Sequence, residues 1–417
     1  MSAKLSVIVI FAAGLPSLLI TGCDQQACHE VHATITPVEQ TASDGKAVSE
    51  VQIQLLDLAY ETATAIPSRP HLKDRSRTQE SIVDACLLLD MPDRALKYIE
   101  GIEDWRRGSG YASVAFHLAQ RGRPGDVPKY LALAATIAET AGQDWRRDRI
   151  RVRIAMTHAL LKQDELAKQF EAGVENSEKG KVDAVKAAHR DDATFDADVK
   201  MLDDIVSSGI FDLMRNAQNT YIQLYGRHYE NTERRDLLEG KLRKSWLKMP
   251  SVIQLNILIE LADAALKHKD YTTATRLVND AQEVSTSAQW PVGESDHLST
   301  LARLAGLRYR AGDKERARGD LSAVLARFDA EQNAIIDMYR AAALRSVAEA
   351  YAAMNEQAGA LATYKRALEA GFVNPNSRPR AEDLAATCRS MALQAVEPDA
   401  SWWTRATEIR ARLGAPW

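Results

Sequence analysis

Histidine and cysteine side chains near the start of the chain are the first candidates for metal or haem chemistry. His29 and His32 enclose two residues, one fewer than the HExxH spacing that places two imidazoles one helical turn apart. Cys23 and Cys28 enclose four residues, where the haem-attachment pattern requires two. Because neither spacing fits, the sequence predicts no metal and no cofactor.

Motifs for catalysis are also missing. The sequence contains no GxSxG nucleophile elbow, no P-loop and no GxGxxG turn. Asp203 and Asp204 are adjacent, so on a helix their carboxylates point about 100° apart instead of converging. His117 and His158 fall on helix faces without a second catalytic partner, which favours ordinary core or boundary histidines. The sequence therefore predicts a protein that is not an enzyme.

Cys23 follows the only long apolar run of the chain. Lys4 precedes the apolar stretch Leu5–Ile20, and two small residues then lead to the cysteine. A basic start, an apolar run and small residues are the layout of a secretory signal. An uncleaved anchor helix is the alternative, but the run is short for a membrane span and contains a glycine and a proline.

The quartet Ile20–Cys23 resembles the lipobox of bacterial lipoproteins. The resemblance implies cleavage before Cys23, a diacylglyceryl thioether on its sulfur and an acyl chain such as palmitate on the new amino group. It implies an extracytoplasmic protein held on a membrane, and leaves inner and outer membrane open. Residues 24–44 have no sustained periodicity and many small polar residues, which predicts a flexible tether.

The overall composition is that of a soluble globular chain. It has 417 residues, 46% of them hydrophobic and 26% charged. A net charge of −4 is too small to indicate nucleic acid as a partner. Cys86 and Cys388 fall on apolar helix faces, so we expect both to be buried free thiols and no disulfide framework.

From about Gly45 onward the apolar residues follow a helical period, as in Leu255, Leu258, Ile259 and Ala262. Three turns, 269–271, 312–314 and 355–357, recur 43 positions apart, and the motif at 104–107 returns after 40. One hairpin cannot bury its own apolar face, so neighbouring hairpins must stack. The predicted fold is all-α, an α-solenoid of antiparallel helix hairpins with a period of about 40–43.

These repeats resemble the tetratricopeptide repeat (TPR). Ala348, Tyr351, Asn355, Ala360 and Tyr364 match its pattern of small residue, aromatic residue, turn and second-helix alanine. The resemblance covers about residues 81–368, poorly between 178 and 250. The step of 40–43 is longer than the family's, about 34, and closer to that of HEAT-type arrays.

The pattern predicts five segments along the chain. A signal peptide (1–22) and a lipidated tether (23–44) precede an N-terminal sub-array (45–177). An irregular charged helical insertion (178–250) separates it from a C-terminal sub-array (251–417), in which the terminal tryptophans form a capping layer.

The TPR resemblance implies binding along exposed positions of each first helix, on the concave side. The mixed charges at these positions suit a peptide or a protein segment. By register, the candidate groove consists of Arg77, Glu80, Asp84, Arg149, Met156, Asn256, Asp263, Tyr309, Arg345 and Glu349.

A second candidate surface is a run of arginines between 104 and 162. It could be a landing patch for an acidic protein or anionic lipid, or an ordinary solvated surface on which arginine stems cover alanine-rich helices. The candidate basic patch consists of Arg106, Arg107, Arg146, Arg147, Arg149, Arg151 and Arg153.

Together these features favour a membrane-anchored, extracytoplasmic scaffold for protein–protein interaction in the cell envelope, with an unidentified protein or peptide partner. Two other classes stay open. An enclosed apolar pocket would favour a small-ligand sensor. Clustered carboxylates with raised pKa in a closed cavity would favour an α/α-toroid enzyme acting on envelope glycans.

Overall fold

The computed structural model describes residues 47–189, 192–288, 290 and 293–417, apart from the side chains at 177 and 248. These residues belong to one compact unit, Thr41–Trp417. All regular secondary structure in the described ranges is helical, which confirms the predicted all-α fold. The predicted signal peptide and the predicted tether, with Cys23 and Cys28, lie outside the described residues.

Nineteen α-helices occur in the described ranges, together with two 3₁₀ helices, Asp192–Thr194 and Trp246–Lys248. In chain order the α-helices are α1 (Glu50–Ala65), α2 (Ser68–Leu88), α3 (Pro92–Ile99), α4 (Arg106–Gln120), α5 (Val127–Glu139), α6 (Asp144–Leu160), α7 (Asp164–Glu171), α8 (Asn176–His189), α9 (Phe195–Ser207), α10 (Phe211–Arg227), α11 (Thr232–Ser245), α12 (Ser251–Lys267), α13 (Tyr271–Ser287), α14 (Glu294–Arg310), α15 (Lys314–Glu331), α16 (Asp337–Ala353), α17 (Gln357–Phe372), α18 (Ser377–Leu393) and α19 (Ala400–Ala411).

Several helices begin at residues whose side chains cap the first turn. Ser49 and Gln52 form a capping box at α1, in which each side chain accepts a hydrogen bond from the other's backbone N–H, at 3.2 and 2.9 Å. Asp270 accepts from the Thr273 N–H at α13, and Asp399 accepts from the Trp402 N–H at α19, both at 2.9 Å. The sequence therefore determines these boundaries locally.

The 43-residue repeat is present in the helix boundaries. First helices begin at 251, 294 and 337, and second helices begin at 271, 314 and 357. The alanines expected to allow close helix contact are all at most 1% exposed, namely Ala262, Ala274, Ala305, Ala317, Ala348 and Ala360. Stacked hairpins with alanine at the helix contacts are thus confirmed.

One turn geometry connects first to second helix in seven hairpins. The second residue after the first helix has a positive φ, and the N–H of the residue that follows it donates to the carbonyl five positions earlier, at 2.8–3.2 Å. This is the Schellman motif, which satisfies the last carbonyls of a helix. The positive-φ residues are Asp90, Gly122, Lys162, Lys269, Gly312, Asn355 and Ala395.

The even-numbered helices lie on the inside of the array. Each of them packs against the next even-numbered helix, from α2 through α18. Among the odd-numbered helices, only α17 and α19 make a comparable lateral contact. Helices on the concave side of a curved array are closer together than those on its convex side, so we name α2, α4 and so on to α18 the inner helices and the others the outer helices.

The array closes on itself within this unit. Helix α1 packs along α18 in the same way that the second helix of a hairpin packs along the first helix. Helix α18 also contacts α2. The Gln52 side-chain amide donates to the Ala392 carbonyl at 2.7 Å. Leu56 of α1 shares one apolar cluster with Cys388 and Met391 of α18. The nine inner helices of the described ranges therefore form a ring, which the repeat pattern did not predict.

Two predicted segments differ from the structure. Residues 178–250 are not an insertion, because they contain most of α8 and all of α9–α11, and the inner helices α8 and α10 connect α6 to α12 in the ring. The terminal segment does not cap an open end. Trp402 of α19 is fully buried, and Arg410 pairs with Glu61 of α1 at 2.5 Å, so α19 fills the outer layer beside the closure.

The cysteines in the described ranges are buried and unpaired, as expected. Burial raises the pKa of the Cys86 thiol to about 12 and raises that of Cys388 as well. Both therefore behave as small apolar core residues.

The recurring turn predicts opposite effects of glycine at two equivalent positions. Lys269 has φ 60° and Gly312 has φ 106°, values at which a Cβ is unfavourable. We expect Lys269→Gly to increase the free energy of unfolding by about 0.5–1 kcal/mol, and Gly312→Ala to decrease it by about 1 kcal/mol or more. Urea denaturation measures both. A destabilising Lys269→Gly would show that the lysine side chain, and not the turn conformation, determines stability there.

Candidate functional site

The predicted groove residues all lie on inner helices. Arg77, Glu80 and Asp84 belong to α2, whereas the others belong to α6, α12, α14 and α16. Their side chains, however, do not form one free surface.

Several of these side chains connect neighbouring inner helices. Arg77 pairs with Glu382 of α18 at 3.1 Å, and Arg345 of α16 pairs with Asp383 of α18 at 2.8 Å. Glu80 of α2 lies 3.1 Å from Arg106 of α4.

The same pattern continues around the ring. Asp263 of α12 pairs with Arg310 of α14 at 2.8 Å, and Glu349 of α16 accepts from the Ser390 hydroxyl at 2.6 Å. These bonds connect neighbouring inner helices, so five of the ten predicted groove residues make contacts within the chain.

Three other predicted groove residues have different surroundings. Met156 is 4% exposed and packs in an apolar cluster with Phe116, so it belongs to the core and not to a groove. Tyr309 is half-buried beneath the cationic ends of Lys314 and Arg318. Asn256 is half-buried, and its Nδ2 has no hydrogen-bond partner in the described part of the chain.

The predicted basic patch is not a continuous surface. Arg107 is exposed, but Arg106 is buried, with Nη1 2.8 Å from Asp104. Arg151 donates to the carbonyls of Gln169, Phe170 and Ala172 at the end of α7, at 2.9–3.1 Å. These residues therefore have separate structural roles.

The remaining arginines of the run lie against aromatic rings or acidic side chains. The Arg146 and Arg149 guanidinium groups lie over the Trp145 ring, and that of Arg153 lies over Phe116. Arg147 pairs with Asp144 at 2.9 Å. Successive arginines two positions apart on α6 point to alternate sides of the helix, which explains why they do not share one face.

The two histidines considered for catalysis have single hydrogen-bond partners. A ring nitrogen of His117 lies 2.7 Å from the Asp90 carboxylate, and one of His158 lies 2.7 Å from the Gln163 side-chain oxygen. Both rings are buried. This arrangement matches the expected core or boundary histidines. In the described ranges, no cluster of three or more His, Cys, Asp or Glu residues is placed to hold a metal ion.

Carboxylates on the inner face have raised pKa values. Burial and the neighbouring Asp84 raise the pKa of Glu80 to about 7, against the influence of Arg106. Burial also raises the pKa of Asp84, although its side chain is open to water.

A second group of charges lies on the arc formed by α10, α12 and α14. Burial raises the pKa of Glu260 to about 7, and the cations of Arg303 and Arg215 oppose this shift without forming an ion pair with it. Burial lowers the pKa of Arg215. Glu260 and Arg215 were not predicted as site residues, because their register alone does not distinguish them from other polar positions on these helices.

Arg389 of α18 was also missed. Burial lowers the pKa of its guanidinium, and the negative charges of Glu349 and Asp84 partly offset this decrease. Arg389 could have been predicted by extending the inner-helix register into the last hairpin. The TPR-like pattern is weak there, so the register was not extended that far.

Exposed apolar side chains concentrate at one edge of the ring. Twelve large apolar residues are exposed in the described ranges, and seven of them lie within four positions of the start of an inner helix. Inner helices run parallel to one another, because an antiparallel outer helix separates each pair, so their starts lie at the same edge. We name this set the apolar rim: Trp145, Ile210, Phe211, Leu247, Ile336, Met338 and Val373.

The opposite edge has a different character. Only Leu166 and Tyr271 of the exposed apolar residues lie there, near the starts of outer helices. The remaining three lie along outer helices. The two edges of the ring therefore differ in the chemistry they present to solvent.

Comparison with known proteins identifies no family. No protein-family model matches this chain, and no curated protein matches its sequence. Among the solved structures, one described as a "Circular tandem repeat protein with novel repeat topology and enhanced subunit contact surfaces" is similar at 15% identity and a TM-score of 0.24, over 88% of this chain and 95% of that one. At this TM-score the likeness carries no argument, and the ring is established by the helix contacts alone.

No helix in the described ranges is both long enough and apolar enough to cross a membrane.

The raised pKa of Glu260 predicts a pH-dependent stability. A carboxyl whose pKa is about 7 when folded and near 4.5 when unfolded stabilises the fold below pH 4.5, and loses that contribution as the pH rises through 7. We expect Glu260→Gln to gain about 1–2 kcal/mol relative to the native chain between pH 5 and pH 8, after allowance for partial access to water. Denaturant titration at both pH values measures this.

The exposed Glu165→Gln variant is the control, and its stability difference from the native chain should not grow over the same interval. Equal pH dependence of the Glu260→Gln and native chains would contradict the assigned burial of Glu260.

Proposed function

We propose that this chain is a protein-binding ring of helical repeats that docks a partner protein through the apolar rim. The observation that carries this proposal is the concentration of seven exposed apolar side chains at one edge. Apolar surface exposed along one side of a soluble protein is typical of a contact with another molecule. Leu247 and Val373 are 76% and 63% exposed, so a partner could bury most of each side chain.

A protein is favoured over other occupants by the composition of this edge. Aromatic, aliphatic and methionine side chains together are typical of interface cores, where they fill pockets of the partner. Burial of one such side chain contributes about 1.5–3 kcal/mol. Several side chains spaced around an edge can therefore bind a broad partner surface without help from the inner face, whose charges largely pair with one another.

The resemblances to the TPR and to the lipobox support a role in protein binding in the cell envelope. The TPR-like spacing supports an interaction scaffold, because such arrays present large surfaces to protein segments. The lipobox-like quartet ending at Cys23 supports lipidation of that cysteine and tethering of the ring outside the cytoplasm. We include both in the proposal, with the cell envelope as the location.

Lipidation of Cys23 has a direct test. We expect the mature native chain to fractionate with membranes and to carry the mass of a lipid at residue 23. Cys23→Ser should remove that mass and stop processing before residue 23. Cys28→Ser is the matched control and should leave both unchanged. A mature Cys23→Ser chain identical to the native one in mass and fractionation would contradict the lipid anchor.

One observation favours a second candidate, an enzyme acting on envelope glycans. Glu80 of the inner helix α2 has a pKa raised to about 7, which suits a general acid, and Asp84 lies one turn away. Against this, Glu80 is already paired with Arg106. The enzyme would be favoured if the native chain cleaves a glycan and the Glu80→Gln variant does not, while the variant still binds the partner.

Docking through the rim is tested by crosslinking pull-down from intact cells. We expect the double variant Phe211→Ser, Ile336→Ser to recover at least tenfold less of the partner than the native chain, because it loses two of the exposed apolar contacts. The matched control, Leu166→Ser with Tyr271→Ser on the opposite edge, should recover the native amount.

Two outcomes would overturn rim docking to a protein. The first is equal loss in both double variants. The second is binding of the native chain, but not of the rim variant, to protein-free phospholipid vesicles with no protein partner recovered, which would assign the rim to a membrane surface.

A further inference from the structure

A cavity lies in the outer layer of the ring. Residues of the outer helices α15, α17 and α19 and of the inner helix α16 line it, and its volume is about 630 Å³. Small-molecule sites in proteins have volumes of about 300–1,000 Å³. Helices α15 and α17 do not make the lateral contact that α17 and α19 make, because helices on the convex side of a curved array are further apart. The cavity occupies this gap.

The base of the cavity is apolar. Phe328 of α15 and Leu344 of α16 belong to one apolar cluster, whereas Leu368 of α17 and Trp402 of α19 belong to another. All four are at most 3% exposed, so packing fixes them in place. Val373 also lines the cavity and is 63% exposed. An apolar ligand would therefore lie on a preformed base and cover an exposed apolar side chain.

Three of the four cations that line the cavity already have carboxylate partners. The pairs are Arg366 with Asp329, Lys365 with Asp399 at 2.6 Å, and Arg405 with Glu369 at 2.7 Å. These pairs join α17 to the segments on either side of it, so they help to fix the shape of the cavity. Their charges are compensated within the chain.

The fourth lining cation, Arg340 of α16, has no carboxylate partner. Its Nε donates to the Ile335 carbonyl at 2.9 Å, and it forms no ion pair in the part of the chain that the structure describes. Arg340 is half-buried, so its charge is partly shielded from water. A guanidinium can hold a carboxylate by two parallel hydrogen bonds. Arg340 is thus the lining cation whose charge is available to a ligand.

We propose that this cavity binds a small amphipathic monocarboxylate, an unbranched alkyl chain that ends in a carboxylate. The carboxylate accepts hydrogen bonds from the Arg340 guanidinium. Leu344 lies one helical turn further along α16, so the alkyl chain begins there and continues along the apolar base. This site goes beyond the proposed docking function and rests on a different observation.

Other small ligands fit the cavity less well. A short anion such as acetate would use Arg340 and leave the apolar base uncovered. An alkyl cation would be repelled by Arg340, and the lining carboxylate Glu369 is already paired with Arg405. A neutral alkyl alcohol would use the apolar base alone. The charge and the base together therefore select an alkyl carboxylate.

The test is isothermal titration calorimetry of the purified full-length protein with sodium decanoate. We expect a Kd below about 0.1 mM. Octanoate, which is two methylene groups shorter, should bind about threefold more weakly or worse, because less apolar surface is buried. Decan-1-ol and decylammonium have the same chain without the carboxylate, and each should bind at least about tenfold more weakly than decanoate.

Variants assign the site. Arg340→Gln should weaken decanoate binding at least about tenfold, because it removes the charge-assisted hydrogen bonds. The matched control is Arg316→Gln, an exposed position on α15 that does not line the cavity, and it should bind decanoate with the native affinity. Arg340→Lys retains the charge without the two parallel donors and should show intermediate affinity, which keeps the assignment testable if Arg340→Gln is destabilised.

The proposal is overturned if decanoate does not bind, if decan-1-ol binds as tightly as decanoate, or if Arg340→Gln retains the native affinity. It is also overturned if no alkyl carboxylate binds and Arg340→Gln recovers less partner protein in the pull-down, which would assign the cavity to the partner-binding surface. The Phe211→Ser, Ile336→Ser variant should bind decanoate normally, because neither residue lines the cavity. Failure of rim docking and failure of this site are therefore distinguishable.

Discussion

A helical hairpin with an apolar face is stable only when that face is covered, and in this molecule each hairpin covers the next until the last is covered by α1. Leu55 and Leu56 of α1 are fully buried in the cluster that also contains Cys388 and Met391. An open array of the same repeats would leave an apolar face at each end and would need polar capping repeats. Closure removes that need, and the remaining features of the ring follow from it.

Closure crowds the inner helices. Their polar side chains are partly desolvated, so most of them pair with a neighbour, as Arg345 does with Asp383. Glu260 forms no ion pair in the described ranges, and burial raises its pKa to about 7. The edges of the ring are less crowded, and there the starts of the inner helices present apolar side chains to solvent.

Local features of the fold could be predicted from the sequence. The turns at 269–271, 312–314 and 355–357 mark real helix boundaries, because capping, turn chemistry and apolar period act over a few residues. Closure could not be predicted, because the Gln52 to Ala392 hydrogen bond joins residues 340 positions apart and has no local signature. The charged stretch 178–250 was misjudged for a related reason, since its turns differ from those of the 43-residue copies while its helices occupy the same layers.

The candidate site was predicted only in outline. Register assigned Arg77, Glu80 and Asp84 to one first helix, and all three lie on the inner helix α2. It could not show which charges would be paired across helices, and it assigned Met156 to a groove although neighbouring helices bury it. The arginine run is contiguous in sequence, but residues two apart on a helix lie on opposite sides, so its members do not share one surface.

Closure is tested most directly by the distance between α1 and α19 in solution. Pulsed electron paramagnetic resonance measures that distance between spin labels attached at Glu61→Cys and Arg410→Cys. Cys23 and Cys28 are replaced by serine in the labelled chain. Glu61 and Arg410 are an ion pair at 2.5 Å, so the account predicts a single short and narrow distance distribution. An open array of nine hairpins, spaced by about 8–10 Å, would instead place the labels about 70–90 Å apart, and such a distance would contradict the ring.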